Sequence, residues 1–180
     1  IPGCGNNTAL GGCIVNQVFK AAAALMVHPA VTADNTGNGG DVDNGAEALF
    51  FPDEGAMKRY ADLFKNMPYA FGMKKRDWST GAILGLDVFG NVEALNGAKV
   101  LIIDDICSRG GTFYHSAKKL KELGAAEIDL YITHCEDTIQ EGELLKDNGL
   151  INKICTFDQH SLVSIVGEGL CALPPYPMVK

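Results

Sequence analysis

The sequence predicts an α/β fold built on a parallel sheet, and two observations carry that prediction. Between residues 48 and 157, short apolar runs of strand length alternate with segments whose apolar residues recur at helical spacing. That is the pattern of strand and crossover helix that makes a sheet parallel. Two of the runs, 48–51 and 100–103, end in acidic, glycine-bearing loops that pass straight into helical spacing. Ligands of open α/β sheets gather at such carboxyl ends of strands.

In chain order, residues 1–13 are loop-rich, with Pro2 and clustered glycines. Ile14, Val18, Ala21, Ala22 and Leu25 predict a helix over 14–26, with Pro29 beyond its end. Residues 32–47 are again loop-rich, nearly all Gly, Asn and Asp in their first part. A strand is expected at 48–51, a Pro-Asp turn at 52–56 and a helix at 57–64. Residues 69–72 read as a strand leading into the basic cluster Lys74-Lys75-Arg76, 83–88 as another strand, and Asn96-Gly97 as a turn. After the run at 100–103, Phe113, Ala117, Leu120 and Leu123 line one helical face, with Gly124 placed to cap it. A buried strand at 126–133, a short helix at 141–146 and a strand at 153–157 follow. Residues 162–166 are a helix or apolar turn, and 174–180 form a Pro-rich tail. Neither an internal repeat nor a linker divides residues 1–180, so one domain is expected.

Composition narrows the partners. A chain of 180 residues with 47% apolar content can bury one core. Its net charge of −7 argues against a general nucleic-acid binder or an anionic membrane surface. No apolar run approaches the about eighteen residues of a membrane span, and the first residues lack a signal-like pattern. The six cysteines form no C-x-x-C pair and no zinc spacing, so reduced buried thiols are expected. A cytoplasmic location follows as an expectation.

The richest stretch for chemistry is 100–112: four apolar residues, Asp104-Asp105, a short loop, then Gly110-Gly111-Thr112 opening a helix. Glycines let a backbone approach a ligand closely, and free N–H groups with the helix dipole favour an anion. Adjacent carboxylates bind sugar hydroxyls or a hard cation, although a solvated strand end has the same letters. Because neighbouring strand residues point to opposite faces, the two acids need not play equal parts.

Taken whole, 100–112 resembles the phosphoribosyl diphosphate signature of the type I phosphoribosyltransferase superfamily. The resemblance implies that superfamily's three-layer α/β/α fold on a parallel sheet. It also implies that Asp104 and Asp105 meet ribose hydroxyls while Cys107, Ser108, Arg109, Gly110, Gly111 and Thr112 cradle the 5-phosphate. Arg109 stands where the family often has a small residue or Thr. Phe51-Pro52-Asp53-Glu54-Gly55-Ala56-Met57-Lys58-Arg59 resembles the diphosphate loop of the ribose-phosphate diphosphokinases, with Phe51 in place of Ser. That makes Asp53, Glu54, Gly55 and Ala56 diphosphate-binding candidates, and Asp53 the metal candidate. Lys74-Lys75-Arg76 is similar to that family's catalytic segment on a flexible loop, with Lys74 and Arg76 in the catalytic places.

The function implied is transfer of diphosphate from ATP to the C1 hydroxyl of ribose 5-phosphate, with Mg²⁺ as cofactor and a homo-oligomer as the working form. Two alternatives stay open. One is a phosphoribosyltransferase joining a nucleobase to phosphoribosyl diphosphate; the other is a non-catalytic phosphoribosyl-binding regulator or subunit. The synthetases of this family carry two related domains and the matching motifs belong to the second, so the chain is expected to be either half of a longer protein or a stand-alone relative.

Overall fold

The computed structural model describes residues 45–64, 66–80, 83–146, 149–156 and 170–172. Seven strands form one sheet: β1 Ala48–Phe51, β2 Tyr69–Arg76, β3 Ile83–Gly90, β4 Lys99–Cys107, β5 Glu127–Cys135, β6 Lys153–Thr156 and β7 Leu170–Ala172. Their order is β3-β2-β1-β4-β5-β6-β7. Every neighbouring pair is parallel except β2 with β3, an antiparallel hairpin at the edge.

Two α-helices among the described residues flank the sheet, α1 Glu54–Tyr60 and α2 Gly111–Glu122. The strands alternate between the two faces. Ala48, Phe50, Val100, Ile102, Ile128 and Leu130 pack with Phe113, Ala117 and Leu120 of α2. Leu49, Phe51, Leu101, Ile103 and Tyr131 pack on the opposite face with Ala56 and Tyr60 of α1 and with Phe64. These central strands are apolar on both faces because both are covered, which is why they read as continuous runs. The α/β/α layering on a largely parallel sheet expected from the sequence is therefore the one observed.

Chain direction places the site. From β1 the chain moves outward through β2 to β3, then returns to lay β4 on the other side of β1. The β1/β4 boundary is thus the point where strand order reverses, and at such a point open α/β sheets bind ligands at the carboxyl ends of their strands. The register Ala48↔Val100 and Phe50↔Ile102 brings the loops following β1 and β4 side by side.

Three expectations need correction. The helix expected at 57–64 begins earlier, at Glu54, and tightens into a 3₁₀ helix at Ala61–Phe64, because Asp53 caps its first turn. The strand expected at 69–72 runs on to Arg76, since β3 pairs with it as far as Ile83. No helix forms at 141–146: a 3₁₀ helix covers Asp137–Glu141 and the chain continues in turns. There Leu144 is drawn into the core over the loop that follows β4, which overrides the weak helical preference of so short a segment. The helix expected at 14–26, most of the 32–47 loop, the 162–166 segment and the Pro-rich tail lie outside the described residues.

Candidate functional site

At its carboxyl end β4 exchanges its apolar run for acids. Asp104 is only 9% exposed, Asp105 is half-buried, and the Asp105 N–H donates to Asp104 Oδ1 at 2.9 Å. Burial, above all, pushes the Asp104 carboxyl up to about 7; the side-chain hydrogen bond and charge of Asp105 add to this, and the charge of Asp53 adds more. Asp53 therefore belongs to the same negative cluster, although it follows β1 rather than β4. The two acids differ in burial.

Arg59, near the end of α1, supplies the local counter-charge. Its Nη2 lies 3.6 Å from Asp104 Oδ1 and 3.5 Å from Asp105 Oδ1, and its guanidinium rests over the Tyr60 ring. The side chain is half-exposed, so this pairing does not reverse the Asp104 shift. Sequence reasoning quoted Arg59 within the diphosphate-loop motif without giving it a role. A cation six positions beyond Asp53, on the helix that starts there, was the available signal.

The loop after β4 closes through Gly110, whose φ of 74° lies in the left-handed region that glycine adopts without strain. Its carbonyl accepts from the Tyr114 N–H at 2.9 Å, starting α2. The first N–H groups of α2 lack intrahelical partners and face the end of the loop, the arrangement that receives an anion. The candidate cradle residues differ in what they offer. Ser108, Arg109 and Gly111 are exposed and Thr112 half-buried, whereas the Cys107 side chain is buried. The Cys107 thiol donates to the Ser108 carbonyl at 3.6 Å and that of Cys135, its register partner on β5, to the Glu136 carbonyl at 3.8 Å; the neighbouring Cys135 and burial raise the Cys107 thiol, and Cys107 lowers that of Cys135. Cys107 thus has only its backbone for the cradle. Cys107, Cys135 and Cys155 are buried and form no disulfide, as expected for reduced thiols.

At the neighbouring loop, Asp53 is the N-cap of α1, and its Oδ1 accepts the Ala56 N–H at 2.9 Å. Ala56 is fully buried, so among the diphosphate candidates it contributes backbone alone. Glu54 is exposed and pairs with Lys58 at 2.8 Å, and Gly55 is exposed.

The basic cluster is not on a loop, and this corrects the resemblance. Lys74, Lys75 and Arg76 lie in β2, in register with Leu86, Gly85 and Ile83 of β3, with an irregularity between Lys75 and Arg76. The turn beyond is closed by Asp77 Oδ1, which accepts from the N–H groups of Ser79 and Thr80 at 2.7 and 3.1 Å. Strand alternation then separates the two lysines. Lys74 Nζ donates to Thr112 Oγ1 at 3.0 Å, while Lys75 turns outward to Asp87 at 2.9 Å. Lys74 is therefore brought to the β4 loop from 38 residues away. Arg109 extends to Glu141 at 3.0 Å in an exposed ion pair.

Together these residues set an acid cluster paired with Arg59 beside the loop whose end Lys74 contacts. This arrangement can hold a ligand carrying hydroxyls at one end and a phosphate at the other. Among the described residues no three of His, Cys, Asp and Glu converge as a metal site made by protein alone. Mg²⁺, however, commonly takes one or two carboxylates and completes its shell with water and substrate phosphates. Asp53, a carboxylate at the edge of the acid pair that Arg59 balances only in part, fits an ion bound in that way.

No family model matches the chain. A ribose-phosphate pyrophosphokinase of Cereibacter sphaeroides is 41% identical over 85 residues, 46% of this chain and 24% of that protein. The ribose-phosphate pyrophosphokinase of Pyrococcus abyssi is 34% identical over 114 residues, 61% of this chain and 37% of that protein. The chain thus spans well under half the length of these curated relatives. Among solved structures, the AQ2163 protein of Aquifex aeolicus superposes with a TM-score of 0.52 at 15% identity, covering 81% of this chain and 74% of that one; this is a likeness of fold alone. The chain is homologous to ribose-phosphate pyrophosphokinases over about half of its length.

Proposed function

We propose, from that homology, that residues 48–156 form the ribose 5-phosphate half of a diphosphate-transferring site. The observation that carries the reading is the Lys74–Thr112 contact: it joins the candidate catalytic lysine to the end of the phosphate loop, next to a buried acid pair. The 5-phosphate sits on the N–H groups of 108–112, and Asp104 and Asp105 accept hydrogen bonds from ribose hydroxyls. The C1 hydroxyl attacks the β-phosphorus of ATP, the bond to the α-phosphate breaks, and AMP departs. Lys74 and Arg76 balance the charge that develops on the transferring group, the main task of a protein in phosphoryl-type transfer. Asp53, together with Glu54, Gly55 and Ala56, faces the diphosphate. Mg²⁺ would be held by Asp53 together with substrate oxygens and water, and would supply further charge neutralisation. A homo-oligomer in the cytoplasm belongs to the same reading.

The test is to incubate the chain with Mg²⁺, ATP and ribose 5-phosphate and to measure AMP. AMP formation that falls by about a hundredfold or more in Lys74→Ala supports diphosphate transfer, the size expected when a charge-stabilising donor is removed. Turnover of phosphoribosyl diphosphate with a nucleobase, in place of AMP formation, refutes it in favour of base transfer. Stabilisation by ribose 5-phosphate without either turnover indicates a binding subunit.

A further inference from the structure

The loop that closes β4 is held from behind by a segment that none of the chemistry above uses. Four contacts tie residues 136–146 to it. The Glu136 N–H donates to the Cys107 carbonyl at 2.8 Å, where the loop begins. Glu141 pairs with Arg109 at 3.0 Å. Leu144, nearly buried, lies so close to Gly110 that a Cβ there would come within 2.9 Å of its Cδ2. Gly142 is the tightest: a Cβ on it would overlap the carbonyl oxygen of Arg109.

Gly142 has φ −82° and ψ 176°, extended backbone open to any residue. Its need for glycine therefore arises from the loop it touches and not from its own conformation. Ile139, fully buried, and Leu144 anchor the segment in the α2-side core, so it cannot simply move back when something is added at Gly142. Pressure at that point falls on the loop instead, at the residues whose N–H groups face the anion.

We propose that residues 136–146 are a strut that sets the depth of the phosphate cradle, with Gly142 as its positioning residue. The ligand concerned is a phosphomonoester, and this rests on the assignment of 108–112 to the 5-phosphate. A carbonyl pushed toward the cradle repels phosphate oxygens and misaligns the neighbouring N–H groups. Small displacements of positioning groups cost large factors in binding and rate.

The test compares the full chain with Gly142→Ala and, in case that variant fails to fold, with Leu144→Ala, which loosens the same support by removing bulk. Backbone amide NMR resonances are followed at 108–112 and, as an internal reference, at β4 and β5. Binding of ribose 5-phosphate and of magnesium diphosphate is measured by titration calorimetry. The strut predicts displaced amide resonances at 108–112 with the reference strands unchanged, and ribose 5-phosphate affinity lower by roughly tenfold with diphosphate affinity kept. Unchanged resonances at 108–112 overturn the strut, whatever binds. Equal loss of both ligands also overturns it, since that is the mark of general destabilisation. A wild-type chain that ignores ribose 5-phosphate, while the variants still displace the loop resonances, overturns the phosphate assignment and leaves the strut standing.

Discussion

Replacing Asp104 by Asn should change how stability depends on pH, and the size follows from the site. In the folded chain the Asp104 carboxyl titrates at about 7, held there first by burial, then by Asp105 and Asp53. In the unfolded chain an Asp titrates near its ordinary value of about 3.9. Between those two values the folded state keeps a proton that the unfolded state has lost, so stability falls as pH rises from about 4 to about 7. Below that window the effect is absent, and above it the full cost remains. A gap of about three pH units corresponds to about 4 kcal/mol at most, and solvent and Arg59 at the mouth of the site reduce it to a cost on the order of 2–3 kcal/mol. Asn keeps the shape without the charge, so Asp104→Asn should gain that amount over wild type at pH 8 and little at pH 4.5. Urea denaturation at both pH values, in EDTA and without substrate, measures the difference. If the gap between wild type and variant is the same at both pH values, the charge on Asp104 is not costing the fold anything and the reasoning fails.

Two further predictions rest on neighbouring residues. Asp53→Ala removes the α1 cap, whose bond to Ala56 spans 2.9 Å, and should lower stability by about 1 kcal/mol in urea melts at pH 7; an unchanged midpoint would mean that water replaces the cap at no cost. Arg59→Gln withdraws the cation lying 3.5–3.6 Å from the acid pair, so the Asp104 titration followed by carboxyl NMR should move further up; an unchanged or downward move would show that Arg59 is not the counter-ion.

Strands β1, β4, β5 and β6 and the acid-to-glycine loop were legible because each is a local pattern, whereas β7 was not called. Leu49 to Phe51 and Leu101 to Ile103 had to be apolar throughout to sit between two layers, and Gly110 had to be glycine at φ 74°. Features dependent on a distant partner were not legible. Lys74 to Arg76 were expected on a loop because the segment they resemble lies on one; pairing with β3 makes them a strand. Residues 141–146 read as a helix because local spacing says nothing of Gly110, the residue Leu144 must reach. Arg59 had no visible role while Asp104 was 45 positions away in sequence and 3.6 Å away in space.

By itself, then, the sequence determined the layers, the strand ends and the chemical character of both loops, since burial and backbone freedom are written residue by residue. Tertiary structure alone decided which groups meet. The reversal of strand order between β1 and β4 sets Asp53 beside Asp104, the hairpin aims Lys74 at Thr112, and Gly142 lies against the carbonyl of Arg109. Each of these contacts joins segments far apart in the chain, and only packing against a shared sheet brings such segments within reach.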